Sequence, residues 1–288
     1  MKKQIVTIAA LAMSLNMFAQ QWPVPNQEAK PGTRWWWLGS AVTENDLKWN
    51  LRQFADHGIG AIEITPIYGV QGNEKNNIPF LSPRYMDILK YVNAECKADG
   101  IEFDMATGTG WPFGGPWVPL DESASQMLII DTTVVGKKIK ALDLRPIEKK
   151  RKNTTLVGIY AFSEGKFLKI TTPLVEGTLT TKLPSKGTWR IIALYQKKGV
   201  MAVKRAAPGG AGLVIDHFDK QAVTNYLKHI EEAFEKTGTP YPHTFFNDSY
   251  EVSESDYTPT LFQEFYNRRG YSLEENFDKL VDGDTKVV

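Results

Sequence analysis

The feature that most constrains this chain is a repeated change of hydrophobic period, from short apolar runs to amphipathic stripes and back, with one long interruption. Thr33 to Leu38 reads as a strand, followed by a helix from Thr43 to Gly58 with the stripe Leu47, Leu51, Phe54. Gly58 sits where a left-handed C-terminal cap belongs. Gly60 to Ile64 is a nearly continuous apolar run, the pattern of a strand buried on both faces. Ser82-Pro83 predicts a second helix start, Ser as N-cap and Pro in the first turn, with closure at Gly100. Ile101 to Ala106 reads as a third strand.

From Ser125 to Arg205 the helical period vanishes. Short alternating runs (Leu156 to Phe162, Phe167 to Thr171, Trp189 to Tyr195) predict an inserted antiparallel β module with contacts local to residues 125–205. Alternation resumes with a strand over Gly212 to Ile215 and a helix with the stripe Val223, Leu227, Ile230, Phe234. A fifth strand over His243 to Phe246 follows, then a helix opened by Thr258-Pro259. Ser272 and Glu275 form a capping box for a short last helix.

Five strand–helix units in series predict an α/β fold with a parallel sheet. The choice lies between a doubly wound sheet and a TIM-type (β/α)8 barrel. Trp35-Trp36-Trp37-Leu38-Gly39-Ser40 is too bulky for a phosphate-binding turn. Polar and aromatic residues instead gather after the strands, where barrel active sites lie. The expectation is therefore a partial barrel. It is short: what remains beside the insertion falls below the roughly 250 residues of a typical barrel.

Lys2-Lys3, the apolar run Ile5 to Leu15 and the exit to Ala19 read as a secretory signal peptide cleaved near Ala19. The alternative, an N-terminal membrane anchor, needs a longer apolar run. The expected organisation is a signal at 1–19, a first barrel part at 20–124, the module at 125–205 and the barrel continuation at 206–288. The expected location is secreted or periplasmic. Thirty-four basic residues against 33 acidic ones give no electrostatic reason to expect nucleic acid as a partner. Cys96, the lone cysteine, excludes an intrachain disulfide and completes the apolar stripe Tyr85, Leu89, Val92.

Acids stand at or near the ends of the predicted strands: Glu63, Asp104, Asp216, and then Asp248 with Glu251. Carboxylates converging on one rim suit glycoside hydrolysis, in which one carboxyl donates a proton and another activates water or attacks carbon. Asp248 could equally cap the turn after it. Glu251 closes a Phe-rich strand, and apolar surroundings would favour its protonated form. Trp36 and Trp37 offer flat faces to sugar C–H groups, with Trp111 in a glycine-rich loop, while His217 and the acids bond hydroxyls.

Five motifs then occur in order: Arg34-Trp35-Trp36-Trp37-Leu38-Gly39, Gly58-Ile59-Gly60-Ala61-Ile62-Glu63, Gly108-Thr109-Gly110-Trp111-Pro112-Phe113-Gly114-Gly115, Val203 to Gly210, and Asp248-Ser249-Tyr250-Glu251. Over about residues 30–280 the chain resembles glycoside hydrolase family 106, the α-L-rhamnosidases of bacterial polysaccharide utilisation. The resemblance implies a barrel with a β insertion and an inverting attack on terminal rhamnose of plant or bacterial glycans. It also implies a calcium ion near the sugar hydroxyls, with unassigned ligands, and Glu251 as the general acid. Members of the family are longer, so the catalytic partner of Glu251 is expected beyond Val288. The rival reading is a noncatalytic carbohydrate-binding protein, or an inactive remnant, that keeps the aromatic platform.

Overall fold

The computed structural model describes residues 25–287, so the expected signal segment lies outside the described residues. Strand β1 spans Gly32–Leu38, β2 Ala61–Ile67 and β3 Glu102–Ala106. The three run parallel, with Arg34 beside Glu63 and Glu63 beside Asp104. The helices between them start and stop on local chemistry. The Thr43 hydroxyl accepts from the Asp46 N–H at the head of Glu44–Asp56, and the Ser82 hydroxyl from Tyr85 at the head of Pro83–Asp99. Gly100 closes the second helix in the left-handed conformation.

The helices Glu44–Asp56, Pro83–Asp99 and Lys220–Thr237 bring Leu47, Leu51, Leu89, Ile230 and Phe234 into one core with Trp37, Ile62, Ile64, Phe103 and Met105 of the sheet. Strand side chains alternate in direction, so Arg34, Trp36, Glu63, Thr65 and Asp104 face away from those helices. Cys96 lies in this core, as its place in the stripe predicts, and burial pushes its thiol up to about 12.

Strand β4, Gly114–Gly115, follows β3. The module then supplies β5 (Ser125–Val135), β6 (Lys138–Asp143), β7 (Thr154–Ser163), β8 (Lys166–Ile170), β9 (Thr178–Lys182) and β10 (Thr188–Lys198). Its main sheet is antiparallel in the order β5-β10-β7-β8, and β6 pairs with β9. Alternation splits this sheet into two apolar faces. Ile159, Ala161, Ile191 and Ala193 pack with Leu179 and Trp189, whereas Tyr160, Phe162, Ile192 and Leu194 pack against Tyr257, Leu273 and Phe277. The sequence suggests contacts local to 125–205, and the second face corrects this. One face is covered by the chain's last described segment, with its helices Leu261–Arg269 and Phe277–Val281.

A second correction concerns the expected run of five parallel strands. Strand β11, Leu213–Val214, is not in the parallel sheet; it pairs antiparallel with β4. Bare backbone permits this, since a Cβ on Gly114 would come within 2.1 Å of the Leu213 carbonyl oxygen. The strand beside β3 is β12, Phe245–Phe246, so the parallel sheet has four strands in the order β1-β2-β3-β12. Among the described residues, no helix is long and apolar enough to cross a membrane.

Candidate active site

The face of the parallel sheet opposite its packed helices carries a row of charge. Arg34 is its centre: Nε lies 3.2 Å from Glu63 Oε1, and Nη1 donates to Asp248 Oδ2 at 2.9 Å. The guanidinium also lies over two rings, 4.9 Å from the centroid of Phe246 and 5.3 Å from that of Trp36. The Thr65 hydroxyl donates to the same oxygen, Glu63 Oε1, at 2.7 Å. Asp104, next in register, accepts the Thr244 N–H at 2.8 Å and lies 3.3 Å from His243 Nδ1. Asp248 does two jobs, because its Oδ1 also accepts the Ser249 N–H.

The sequence motifs include Arg34 but do not single it out as a site residue. Its signal is a register argument: in β1 it shares a face with Trp36, and β2 places Glu63 beside it. A lone arginine on a strand shows nothing until its neighbour strand is known.

Trp36 and Trp111 meet edge to face, with ring centroids 6.2 Å apart, at the upper end of this row. Trp111 is held there by its own backbone, which exchanges two hydrogen bonds with Lys204, at 3.0 and 2.9 Å. Gly110 makes that approach possible; at φ +55°, a Cβ there would sit 2.0 Å from the Lys204 carbonyl oxygen. The motifs at 108–115 and 203–210 are thus two sides of one paired unit. Trp111→Ala should leave this backbone pairing intact, and a sugar such as L-rhamnose stacked on the indole would lose roughly tenfold in affinity, the worth of one aromatic contact. Calorimetry checks it. Unchanged affinity together with a lowered melting temperature would make Trp111 a packing residue.

Two expected binding residues lie elsewhere. Trp37 is 1% exposed and belongs to the helix-side core, because it is the β1 neighbour of Trp36 and points the other way. Asp216 is 2% exposed and spent on a turn: its Oδ1 accepts the Phe218 N–H at 3.0 Å and its carbonyl the Asp219 N–H. Burial raises its carboxyl above the ordinary range. His217, next to it, packs between Phe218 and Tyr250, with centroids 4.1 and 5.0 Å away.

Glu251 sits at the tip of a three-residue turn closed by the Val252 N–H donating to the Tyr250 carbonyl at 2.7 Å. Its side chain is exposed, so the apolar enclosure expected from the preceding phenylalanines is absent. Among the described residues, no three His, Cys, Asp or Glu side chains converge to hold a metal.

A curated relative from Formosa agariphila, named "Putative beta-glucuronidase", is 26% identical over 295 residues, covering 86% of this chain. The chain spans only 25% of that relative's length. The solved structure titled "Structure of Rhamnosidase from Novosphingobium sp. PP1Y" superposes with a TM-score of 0.63 at 15% identity, over 89% of this chain and 42% of that one. That likeness shows a shared fold. The sequence profile of glycoside hydrolase family 106, described as alpha-L-rhamnosidase, matches residues 23–152 and 160–281. With most of its length matched, the chain belongs to glycoside hydrolase family 106.

Proposed function

We propose that this chain forms the substrate-facing wall of a secreted α-L-rhamnosidase that removes terminal rhamnose from oligo- or polysaccharides with inversion, Glu251 serving as general acid. The observation that carries the reading is the face opposite the packed helices, where Arg34, Glu63 and Asp248 interlock beside the Trp36–Trp111 pair. Helices on one side of a parallel sheet suit an arc of a (β/α)8 barrel, whose inner rim holds the site. A doubly wound sheet would cover both faces.

Each group then has a task. Glu63 and Asp248 accept hydrogen bonds from sugar hydroxyls, their places fixed by one guanidinium. Trp36 and Trp111 take the C–H face of the sugar. Glu251 gives its proton to the glycosidic oxygen as the C1–O bond breaks, and water attacks from the opposite side. Inversion calls for a second carboxylate about 6.5–9.5 Å away to activate that water.

The name of the Formosa relative favours a second reading, cleavage of β-glucuronides. Charge argues against it. Three carboxylates surround or adjoin Arg34 in the row, so a uronate would meet net negative charge and a neutral deoxysugar would not. Release of p-nitrophenol from the α-L-rhamnoside and the β-D-glucuronide by the full-length protein tests both, with the first anomer formed read by NMR. The rhamnoside should be cleaved faster and yield the inverted sugar. The opposite ranking would establish the glucuronidase. A folded protein that binds rhamnose and cleaves neither would be a carbohydrate-binding protein.

A further inference from the structure

Over residues 125–198, lysines and arginines outnumber acids fifteen to five, whereas the rest of the sequence holds 19 against 28. The even total of charges therefore hides a basic β module set against an acidic remainder. Within the module, Arg145, Lys169, Arg190 and Lys198 are taken up in ion pairs. Lys138, Lys140 and Lys182 make none among the described residues, and all three are exposed. They sit on the β6–β9 ribbon, which covers one face of the main sheet with Ile139, Leu179 and Leu183. Lys138 and Lys182 stand directly opposite each other in the antiparallel register, hence on one face of the ribbon. Lys140 follows at the irregularity in that register, where the Thr180 hydroxyl donates to its carbonyl at 2.6 Å. Lys137 and Lys186 belong to the same end of the ribbon, where the Gly136 N–H donates to the Gly187 carbonyl at 2.9 Å.

Like charges directly opposite each other destabilise a sheet, so the Lys138–Lys182 pair gains from an anion that joins it. We propose that the outer face of the β6–β9 ribbon is a binding surface for an acidic polysaccharide, whose uronate carboxylates sit on Lys138, Lys140 and Lys182. The surface uses none of the residues in the Arg34 row, so it goes beyond the rhamnosidase reading and does not depend on it. Its use is retention: a polymer held on the ribbon raises the local concentration of its own chain ends. Membership of a glycoside hydrolase family makes glycans the polymers this chain meets. Single-stranded nucleic acid, another polyanion, is held by cations combined with exposed aromatic faces. The exposed large apolar side chains of the module are Ile129, Val135, Ile147 and Val175, none of them a ring. Uronates carry their charge in the sugar itself, whereas sulfate has to be added as an ester, and the carboxylate is therefore the assigned anion.

The test is binding of the full-length protein to polygalacturonate, read by affinity gel electrophoresis beside neutral dextran, dextran sulfate and a single-stranded oligonucleotide. Polygalacturonate should retard the protein and dextran should not. Affinity should fall roughly 10–20-fold between 50 and 200 mM salt, as for about three cation contacts on a polyanion. Lys182→Glu places an acid opposite Lys138. It should lower the affinity by roughly tenfold or more and at the same time raise the melting temperature, because a like-charge pair becomes an opposite one. Loss of binding by a more stable protein cannot come from unfolding. Lys236→Gln, an exposed cation on the helix Lys220–Thr237, should leave binding unchanged. No retardation at 50 mM salt would overturn the proposal and leave the lysines as guards against edge pairing of the ribbon. Lys182→Glu binding as the intact protein does would overturn it as well. Tighter binding of dextran sulfate would replace uronate with sulfate, and tighter binding of the oligonucleotide would replace the glycan with nucleic acid. No turnover is measured, so none of these results depends on the rhamnosidase reading.

Discussion

In the full-length enzyme, Glu251→Gln is expected to lower kcat on glycosides with poor leaving groups by about 10²–10⁴-fold, with KM little changed. Glutamine keeps the shape of the side chain and cannot supply the proton. The turn survives, because it is closed by the backbone of Tyr250 and Val252 and the carboxyl lies exposed. Leaving-group chemistry separates this role from a structural one. A dinitrophenyl rhamnoside departs without protonation and should lose far less rate than an alkyl rhamnoside. Equal losses on both, or near wild-type cleavage of the alkyl glycoside, would remove Glu251 from the acid's place.

Trp37→Ala is expected to destabilise the fold by about 3–5 kcal/mol, the cost of hollowing out a large aromatic core position. Net stabilities of such domains are only about 5–15 kcal/mol, so the variant should approach the edge of folding. Trp37 is fully enclosed and meets Trp35 at 5.8 Å and Tyr85 at 6.2 Å between centroids, both edge to face. Its neighbour makes the control. Trp36 is 40% exposed, so Trp36→Ala should affect sugar binding more than stability. Urea melts of the two variants decide it, and equal destabilisation would mean that the strand does not divide its two faces in this way.

How far the sequence could be read follows from how local each determinant is. The helix after β1 and the helix after β2 are legible because Thr43, Ser82 and Gly100 act on their own nearest turns. The alternation of Trp35, Trp36 and Trp37 is equally legible, but which face meets helices depends on where Leu51 and Tyr85 pack. The run over Gly212 to Ile215 has the composition of a buried parallel strand. Its partner is the bare backbone of Gly114–Gly115, about a hundred residues away, and only that close approach turns it antiparallel. Arg34 becomes a site residue through Glu63 and Asp248, the latter 214 positions later in the chain. Glu251 is exposed, while Phe245 packs on Phe234 and Phe246 under Arg34, pairings that composition does not reveal.

The two-faced sheet of the β module has a consequence for how the molecule is made. Ser125 donates to the Tyr257 carbonyl across 132 positions, Tyr160 to Glu274 across 114, and Arg190 to Asp282 across 92. Closing such long loops costs chain entropy before the contacts repay it, and topologies rich in distant pairs reach the native state slowly. Synthesis proceeds from the N-terminus, so β7 and β10 emerge well before their cover. Tyr160, Phe162, Ile192 and Leu194 therefore lack their cover on the nascent chain until Leu273 and Phe277 have left the ribosome, which exposes an apolar sheet face during synthesis.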